Sequence, residues 1–277
     1  MSEPLRRACV IGWPAKHSRS RLIHNYWIRQ YGIAGEYRIE SVPPDEFTHF
    51  VSHLAAHGYV GANVTIPHKE AALALSEPDD RARAMGAANT LWLADGRLKS
   101  TNTDVEGFLA NLDAAAPGWP PAEAVVLGAG GSARAIIFGL LDRGVAQIHV
   151  VNRTAARAQE LRRRFGDRVK PAGWDDLPRL LCNAGLLVNA TSLGMSGQPP
   201  LKIDVGALPD RAVVADVVYV PLETDLLAAA RTRGLRIADG LGMLLHQAVG
   251  GFSLWFGVRP AVTPELRALV AADLAKT

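Results

Sequence analysis

The stretch that most constrains this chain runs from Ala124 to Arg157, AVVLGAGGSARAIIFGLLDRGVAQIHVVNRTAAR. Val125, Val126 and Leu127 form a short apolar run of the kind a buried parallel strand needs, and Gly128-Ala129-Gly130-Gly131-Ser132-Ala133 follows as G-x-G-x-x-A. Gly128 permits a tight turn, Gly130 lets a pyrophosphate approach the backbone, and Ala133 is small enough for a new helix to pack on the strand. The spacing predicts that helix from Ala133 to about Arg143, stopped at Gly144, with a second apolar strand over 147–151. A strand, glycine turn, helix and strand in this order make a dinucleotide site, with the N–H groups of the helix start facing the phosphates.

In sites that take NAD, an Asp or Glu about 20 residues after the glycines accepts the ribose 2′-hydroxyl, whereas a 2′-phosphate is repelled there and calls for Arg. This place holds Asn152-Arg153-Thr154, with Arg157 one helical turn further on, and the nearest carboxylate in sequence is Glu160. The pattern therefore reads as NADP(H).

At 277 residues the chain has room for about two domains, and 48% hydrophobic with 21% charged residues is the balance of a globular protein with real cores. No apolar run approaches the roughly 20 residues of a membrane helix, and residues 1–10 lack the apolar core of a signal peptide, so a cytoplasmic location is expected. Cys9 and Cys182 sit in or beside apolar segments far from each other and read as buried, reduced thiols. The net charge of +3 and the Arg162-Arg163-Arg164 triplet hint at nucleic acid, but 30 basic residues against 27 acidic is near balance, and the triplet lies on an amphipathic helix with a charged outer face. Nucleic-acid binding is not expected; a mild attraction for an anionic cofactor is. His49, His53 and His57 have metal-ligand spacing but no carboxylate or thiol companion, and read as a solvated helix face, so no metal is expected.

Apolar runs over 124–127, 147–151, 168–171, 186–190, 213–217 and 236–238, mostly alternating with helical patterns, predict a doubly wound parallel sheet. Before them, strands are expected over 7–11, 36–42, 61–64, 91–94 and 97–101, with helices near 21–31, 44–57 and 68–75, forming a second α/β unit without a phosphate loop. The Asp95-Gly96 turn makes its last two strands a hairpin. Ala116-Pro117-Gly118-Trp119-Pro120-Pro121 breaks any helix between the halves, and helices over 241–256 and 263–275 are left over to return to the first half. The expected division is 1–103 with 241–277 and, between them, 104–240, with a cleft between two domains as the expected site.

Three segments of the first half carry side chains fit for chemistry. Gly61 to Lys69 runs from a strand into a helix start and places Asn63, Thr65 and Lys69 near the strand's C-terminal end, where open α/β sheets bind ligands. Taken alone, Lys69 reads first as a solvated surface lysine and only second as a catalytic group. Thr101-Asn102-Thr103-Asp104 opens a helix, so Asp104 is a helix cap, a first-turn acid or a catalytic group, and these roles are compatible. The loop Gly12 to Ser20 carries Ser18 and Ser20 ahead of a helix, where one of them has the ordinary role of N-cap.

Taken together, these segments resemble the shikimate dehydrogenase family over essentially the whole chain. The resemblance rests on His17-Ser18-Arg19-Ser20 with His24-Asn25, Asn63-Val64-Thr65-Ile66-Pro67-His68-Lys69, Gly86-Ala87-Ala88-Asn89-Thr90, Asn102-Thr103-Asp104, and GAGGSARA. It continues through Asn152-Arg153-Thr154, Asn189-Ala190-Thr191-Ser192-Leu193-Gly194-Met195, Asp216-Val217-Val218-Tyr219-Val220-Pro221, and Gly240-Leu241-Gly242-Met243-Leu244 leading to Gln247. It implies NADPH-dependent reduction of 3-dehydroshikimate to shikimate, with Lys69 and Asp104 as the catalytic pair, by a monomer or homodimer with no nucleic-acid or membrane partner. It assigns Ser18, Ser20 and Tyr219 to the substrate carboxylate and Asn63, Thr65, Asn89 and Gln247 to the ring hydroxyls. Thr191, Ser192, Met195, Val217, Gly240 and Met243 then surround the cofactor.

The residue types suit this chemistry, since a lysine ammonium stabilises charge developing on a carbonyl oxygen and then donates the proton. Quinate carries an extra hydroxyl beside its carboxylate, and the Ser18 and Ser20 pair looks like the shikimate form of the loop. Two rival readings are a broad-specificity quinate/shikimate dehydrogenase and a non-catalytic sensor of pathway metabolites, the second disfavoured by intact Lys69 and Asp104. The chain departs from the family pattern at Arg21, where proline is usual, and at Gly250-Gly251 inside a helix, which either loosens the segment bearing Gln247 or allows a close contact.

Overall fold

The computed structural model describes residues 5–119 and 123–276; Met1 to Pro4, and the Pro120-Pro121 part of the expected linker, lie outside them. The chain divides into two compact units, 1–103 with 247–277, and 104–246. The return to the first unit thus falls inside a helix rather than at 241, because a continuous helix carries no chain break there and the packing partners of its side chains decide the boundary.

The first unit contains β1 (Arg6–Gly12), α1 (Ser20–Gln30), β2 (Gly35–Ser41), α2 (Pro44–Ser52), β3 (Tyr59–Val64), α3 (Lys69–Ala74), β4 (Glu77–Pro78), α4 (Asp80–Met85), β5 (Thr90–Ala94) and β6 (Arg97–Thr101). Its sheet has the order β2-β1-β3-β5-β6-β4. β1 runs parallel to β2 and β3, whereas β5 is antiparallel to both β3 and β6. Asp95 and Gly96 both take positive φ, 53° and 72°, as the expected hairpin turn requires. β4 and α4 are too short for a periodic pattern, and no element was expected there; Asp79 caps α4 by accepting the Ala82 N–H at 2.8 Å. α2 ends at Ser52, short of the expected 57. Beyond it the His57 ring stacks on Phe50 at 4.7 Å, while His49 and His53 lie 4.3 Å apart. Among the described residues no three His, Cys, Asp or Glu are grouped to hold a metal.

One hydrophobic cluster of this unit joins Ile11, Phe47, Val51, Leu54, Val64 and Leu91. A second, aromatic cluster is formed by His24 and Trp27 of α1, Tyr37 of β2, and Phe252 and Trp255 from near the C-terminus. Trp255 Nε1 donates to the Leu91 carbonyl at 2.8 Å and Trp27 Nε1 to the Ala261 carbonyl at 3.0 Å, so the returning C-terminal segment is tied to this sheet. A Cβ on Gly251 would lie 2.7 Å from the Trp255 ring, so this glycine serves a close contact within its own helix.

The second unit contains α5 (Asp104–Ala115), β7 (Ala124–Leu127), α6 (Gly131–Asp142), β8 (Ile148–Val151), α7 (Ala155–Phe165), β9 (Val169–Ala172), α8 (Leu177–Leu181), β10 (Leu186–Asn189), β11 (Val213–Asp216), α9 (Asp225–Thr232) and β12 (Arg236–Ala238). α10 (Gly240–Phe256) and α11 (Pro264–Leu274) complete the chain. The six strands are all parallel in the order β12-β11-β10-β7-β8-β9, a doubly wound sheet whose order reverses between β7 and β10. Both faces are covered, which is why β7, β10 and β11 are buried along their whole length. No helix among the described residues is long and apolar enough to cross a membrane.

Of the two thiols, Cys9 is buried in β1 and burial pushes its thiol pKa up. Cys182 is exposed, against expectation: it follows the end of α8, whose buried side chains are Leu177, Leu180 and Leu181.

Candidate active site

The glycine turn joins β7 to α6. Gly128 takes φ 98°, and a Cβ there would lie 2.9 Å from Thr191 Cγ2 and 3.1 Å from the Ala190 carbonyl, so only a bare α-carbon lets the loop after β10 close on the turn. α6 begins at Gly131, earlier than the expected Ala133, which places Gly131 and Ser132 in its first turn. Ala133 is fully buried against the sheet. Among the described residues no side chain caps this helix at Gly130, and a Cβ on Gly130 or Gly131 would meet nothing within 4 Å. Half-buried Ala129 completes a cradle of backbone that fits a pyrophosphate.

After β8, Asn152 is half-buried and its side-chain amide donates to the Thr154 carbonyl at 2.8 Å, shaping the turn into α7. Arg153, Thr154 and Arg157 are exposed, and neither arginine forms an ion pair among the described residues. Glu160, the nearest carboxylate along the sequence, lies 3.8 Å from Arg134. The residues present therefore fit a dinucleotide with a 2′-phosphate.

A buried polar network holds the two loops at the strand-order reversal. The fully buried Asn189 accepts from Thr191 N at 3.1 Å and Thr191 Oγ1 at 2.7 Å, and donates to Asp216 at 2.9 Å and to the Leu193 carbonyl at 3.1 Å. Asp216 also accepts from Val218 N at 2.9 Å and Thr224 Oγ1 at 2.8 Å, and burial pushes its carboxyl pKa up. Through these bonds the loop of Thr191, Ser192 and Met195 and the loop of Val217 and Tyr219 are fixed together, with Ser196 N donating to the Val220 carbonyl at 2.8 Å. Met195 and Ser192 are exposed, and Tyr219 is half-buried. Gly240, at the start of α10, presses on Val217: a Cβ there would lie 2.4 Å from its carbonyl oxygen. Met243, one turn along α10, is half-buried.

In the first unit the N-cap position of α1 is Arg19, so neither serine takes the expected capping role; Ser18 Oγ instead accepts the N–H of Ser20 at 3.3 Å in the turn before the helix, and Ser20 is buried as the first residue of α1. Arg21 is exposed and lines an open groove of about 480 Å³ with Ser18, Asn25 and Glu36. Its charge adds to the hydrogen bond from Arg38 that holds the Glu36 carboxyl below the usual range.

Asn63, at the C-terminal end of β3, is buried; the Tyr37 hydroxyl donates to its Oδ1 at 2.6 Å and its Nδ2 faces Thr90 Oγ1 at 3.2 Å. Thr65 follows, its methyl seated where a Cβ on Gly12 would lie 2.4 Å away. Lys69 is half-buried at the first position of α3. Its neighbour His68 is buried, stacked on Phe47 at 4.2 Å, and Nε2 donates to the Val42 carbonyl at 2.8 Å, which anchors the start of that helix.

Asn89 is buried and accepts the Thr103 N–H at 2.8 Å, and Thr103 Oγ1 lies 3.4 Å from Gln247 Oε1. Asn63, Asn89 and Gln247 are thus brought together through Thr90 and Thr103. Asp104 is the first residue of α5 and so a first-turn acid, half-buried. Lys69 belongs to the first unit and Asp104 opens the second. Tyr37, His68, Thr224 and the buried pair Asn189 and Asp216 are framework that sequence reasoning did not assign; a polar residue inside an apolar run, as at Asn189 and Asp216, was the available signal.

The fold and the glycine turn define a dinucleotide-binding protein with a separate α/β substrate unit. The sequence matches the families described as "Shikimate dehydrogenase substrate binding domain" over residues 10–91, "Shikimate / quinate 5-dehydrogenase" over 113–195 and "Shikimate 5'-dehydrogenase C-terminal domain" over 240–269. A Rhodopseudomonas palustris protein named shikimate dehydrogenase (NADP(+)) is 68% identical over 276 residues, covering 99% of each chain. A Thermus thermophilus shikimate 5-dehydrogenase, solved in complex with NADP(H) and shikimate, is 34% identical with TM-score 0.85, over 97% of this chain and 99% of that one. A Corynebacterium glutamicum quinate dehydrogenase, solved with NAD, is 30% identical with TM-score 0.89, over 97% of this chain and 100% of that one. This chain belongs to the shikimate dehydrogenase family.

Proposed function

We propose that the protein catalyses the reversible NADPH-dependent reduction of 3-dehydroshikimate to shikimate, a step of chorismate and aromatic amino acid biosynthesis, in the cytoplasm. The observation that carries this reading is the 68% identity, over nearly the full length, to an enzyme named for shikimate and NADP(+). It is supported by the exposed Arg153 and Arg157 where a carboxylate would repel a 2′-phosphate.

NADPH, when bound, supplies the hydride. Gly128, Ala129, Gly130, Gly131, Ser132 and Ala133 hold its pyrophosphate, Asn152, Arg153, Thr154 and Arg157 its adenosine 2′-phosphate, and Thr191, Ser192, Met195, Val217, Gly240 and Met243 its remainder. Lys69 stabilises the charge that develops on the substrate oxygen and donates the proton to it. Asp104 accepts a hydrogen bond from the reacting hydroxyl. Ser18, Ser20 and Tyr219 bind the carboxylate through neutral hydroxyls, and Asn63, Thr65, Asn89 and Gln247 hold the ring hydroxyls. The protein works as a monomer or homodimer on a small molecule, without nucleic acid or membrane.

The likeness to a quinate dehydrogenase solved with NAD makes a broad-specificity enzyme the second reading. Following nicotinamide absorbance with shikimate or quinate, each offered with NADP⁺ or NAD⁺, tests both. Strong activity only with shikimate and NADP⁺ is expected. Comparable rates with quinate or NAD⁺ would move the protein to the second reading, and inactivity throughout would favour a metabolite sensor.

A further inference from the structure

We infer that Tyr37 is a positioning residue for the substrate: with Thr90 and Thr103 it locks the carboxamides of Asn63 and Asn89 in opposite senses, so that Asn63 meets a ring hydroxyl as an acceptor and Asn89 meets one as a donor. The inference rests on the reading above that these two asparagines hold ring hydroxyls.

The sense of each amide follows from partners whose roles are obligatory. Asn63 Nδ2 faces the main-chain carbonyl of Asn89 at 3.4 Å and Thr90 Oγ1 at 3.2 Å. A carbonyl can only accept, so this end of the Asn63 side chain is the nitrogen, and both its hydrogens have partners. The other end is the oxygen, and the Tyr37 hydroxyl, 2.6 Å away, must donate to it. Asn63 Oδ1 keeps one lone pair beyond Tyr37, the single remaining valence of that amide.

Asn89 is fixed the other way. Its Oδ1 lies 2.8 Å from the Thr103 backbone N–H, which can only donate, 2.9 Å from Thr90 Oγ1 and 3.2 Å from Thr103 Oγ1. Its oxygen is therefore turned into the cluster and its nitrogen away from it. The chain of bonds runs from Tyr37 through Asn63, Thr90, Asn89 and Thr103 to Gln247. Every member but Gln247 is buried. Burial in a low dielectric makes each link rigid and its loss costly.

The Tyr37 ring is itself pinned. His24 stacks on it at 4.1 Å with planes 13° apart, and Trp255 lies 5.9 Å away. Among the described residues no hydrogen bond of good geometry reaches either ring nitrogen of His24; the ring interacts with the Asn63 side chain and acts here as a flat plate under the tyrosine.

The chemical consequence is selection by hydrogen-bond polarity. The substrate oxygen opposite Asn63 must carry a hydrogen; a ketone there sets one acceptor against another and leaves the second lone pair of Oδ1 unfilled. The oxygen opposite Asn89 is free to be a hydroxyl or a carbonyl.

Steady-state kinetics of Tyr37→Phe with shikimate and NADP⁺ test this. The substitution keeps the ring stack and removes only the donor. The KM for shikimate should rise about tenfold, the effect of one neutral hydrogen bond, with kcat within about threefold and the KM for NADP⁺ unchanged. Asn63→Ala should raise the same KM, and the double variant should be no worse than Asn63→Ala within about twofold, because Tyr37 acts through that amide. An unchanged KM for Tyr37→Phe beside a raised one for Asn63→Ala overturns the inference alone. An unchanged KM for Asn63→Ala overturns the reading of Asn63 and the inference with it, and losses that multiply in the double variant overturn the coupling. Should Tyr37→Phe not fold, Thr90→Val breaks the same chain at its middle and is held to the same expectation.

Discussion

Lys69 stands at the first position of α3, half-buried, beside a histidine that ties the helix start to the main chain of Val42. In its proposed role as proton donor, Lys69 acts on the transition state more than on the bound ground state, so Lys69→Ala should lower kcat by about two to four orders of magnitude and leave the KM for shikimate little changed. A variant with near-normal turnover, followed by nicotinamide absorbance, would remove Lys69 from the mechanism. Arg153 carries a different expectation. Exposed and without an ion pair among the described residues, it is available to a 2′-phosphate, so Arg153→Ala should raise the KM for NADP⁺ at least about tenfold while that for NAD⁺ moves within about twofold. Equal losses for the two cofactors would defeat that assignment. Both residues stand out in the sequence because each sits in a local pattern, a strand-to-helix junction or a second strand end. Tyr37 does not, since its importance lies in touching Asn63 of another strand, and no local spacing encodes that pair.

Among the elements, the C-terminal half of α10 makes the contact most open to test. Trp255 is buried, its ring lies over Gly251, and its indole N–H donates to Leu91 of β5. Trp255→Ala removes a large buried side chain and leaves the Leu91 carbonyl without that donor, so unfolding in urea should show a loss of about 3–5 kcal/mol. A loss below about 1 kcal/mol would mean that the helix is held elsewhere. The six strands of the second sheet were legible because burial on both faces makes them continuous apolar runs bounded by helical patterns. β4 and α4 were not: elements this short offer less than two turns or two pleats of periodicity, and Asp79 caps α4 with a bond visible only once the chain is folded. The exposure of Cys182 has the same origin, since it lies just past the last turn of a short helix whose leucines face the core.

For the molecule as a whole, the aromatic cluster predicts how stability depends on pH. Burial lowers the His24 pKa to about 3, against about 6.5 for an unfolded histidine. Between those values the unfolded chain binds a proton that the folded one excludes, so stability is fully present above about pH 6.5 and falls as the pH drops toward 3. Between about pH 7 and 5 the wild type should lose about 2 kcal/mol more than His24→Phe, which keeps a ring beside Tyr37 and cannot take up the proton. Urea titrations at the two pH values measure this, and equal losses in the two proteins would show that His24 carries the same charge folded and unfolded. His149 and His246, whose pKa values are also lowered chiefly by burial, leave a shallower slope of the same sign in the variant. The sequence by itself determined the doubly wound sheet, the glycine turn and the absence of a carboxylate beside the arginines that follow β8, because each is written in neighbours along the chain: apolar runs, backbone permissiveness and charge at fixed spacing. Only the tertiary structure decided which way the amides of Asn63 and Asn89 point, that Asn189 and Asp216 bind two loops together, and where the chain returns to the first unit. Those outcomes depend on hydrogen bonds and packing between residues distant in sequence, whose directions exist only once the strands and helices have met.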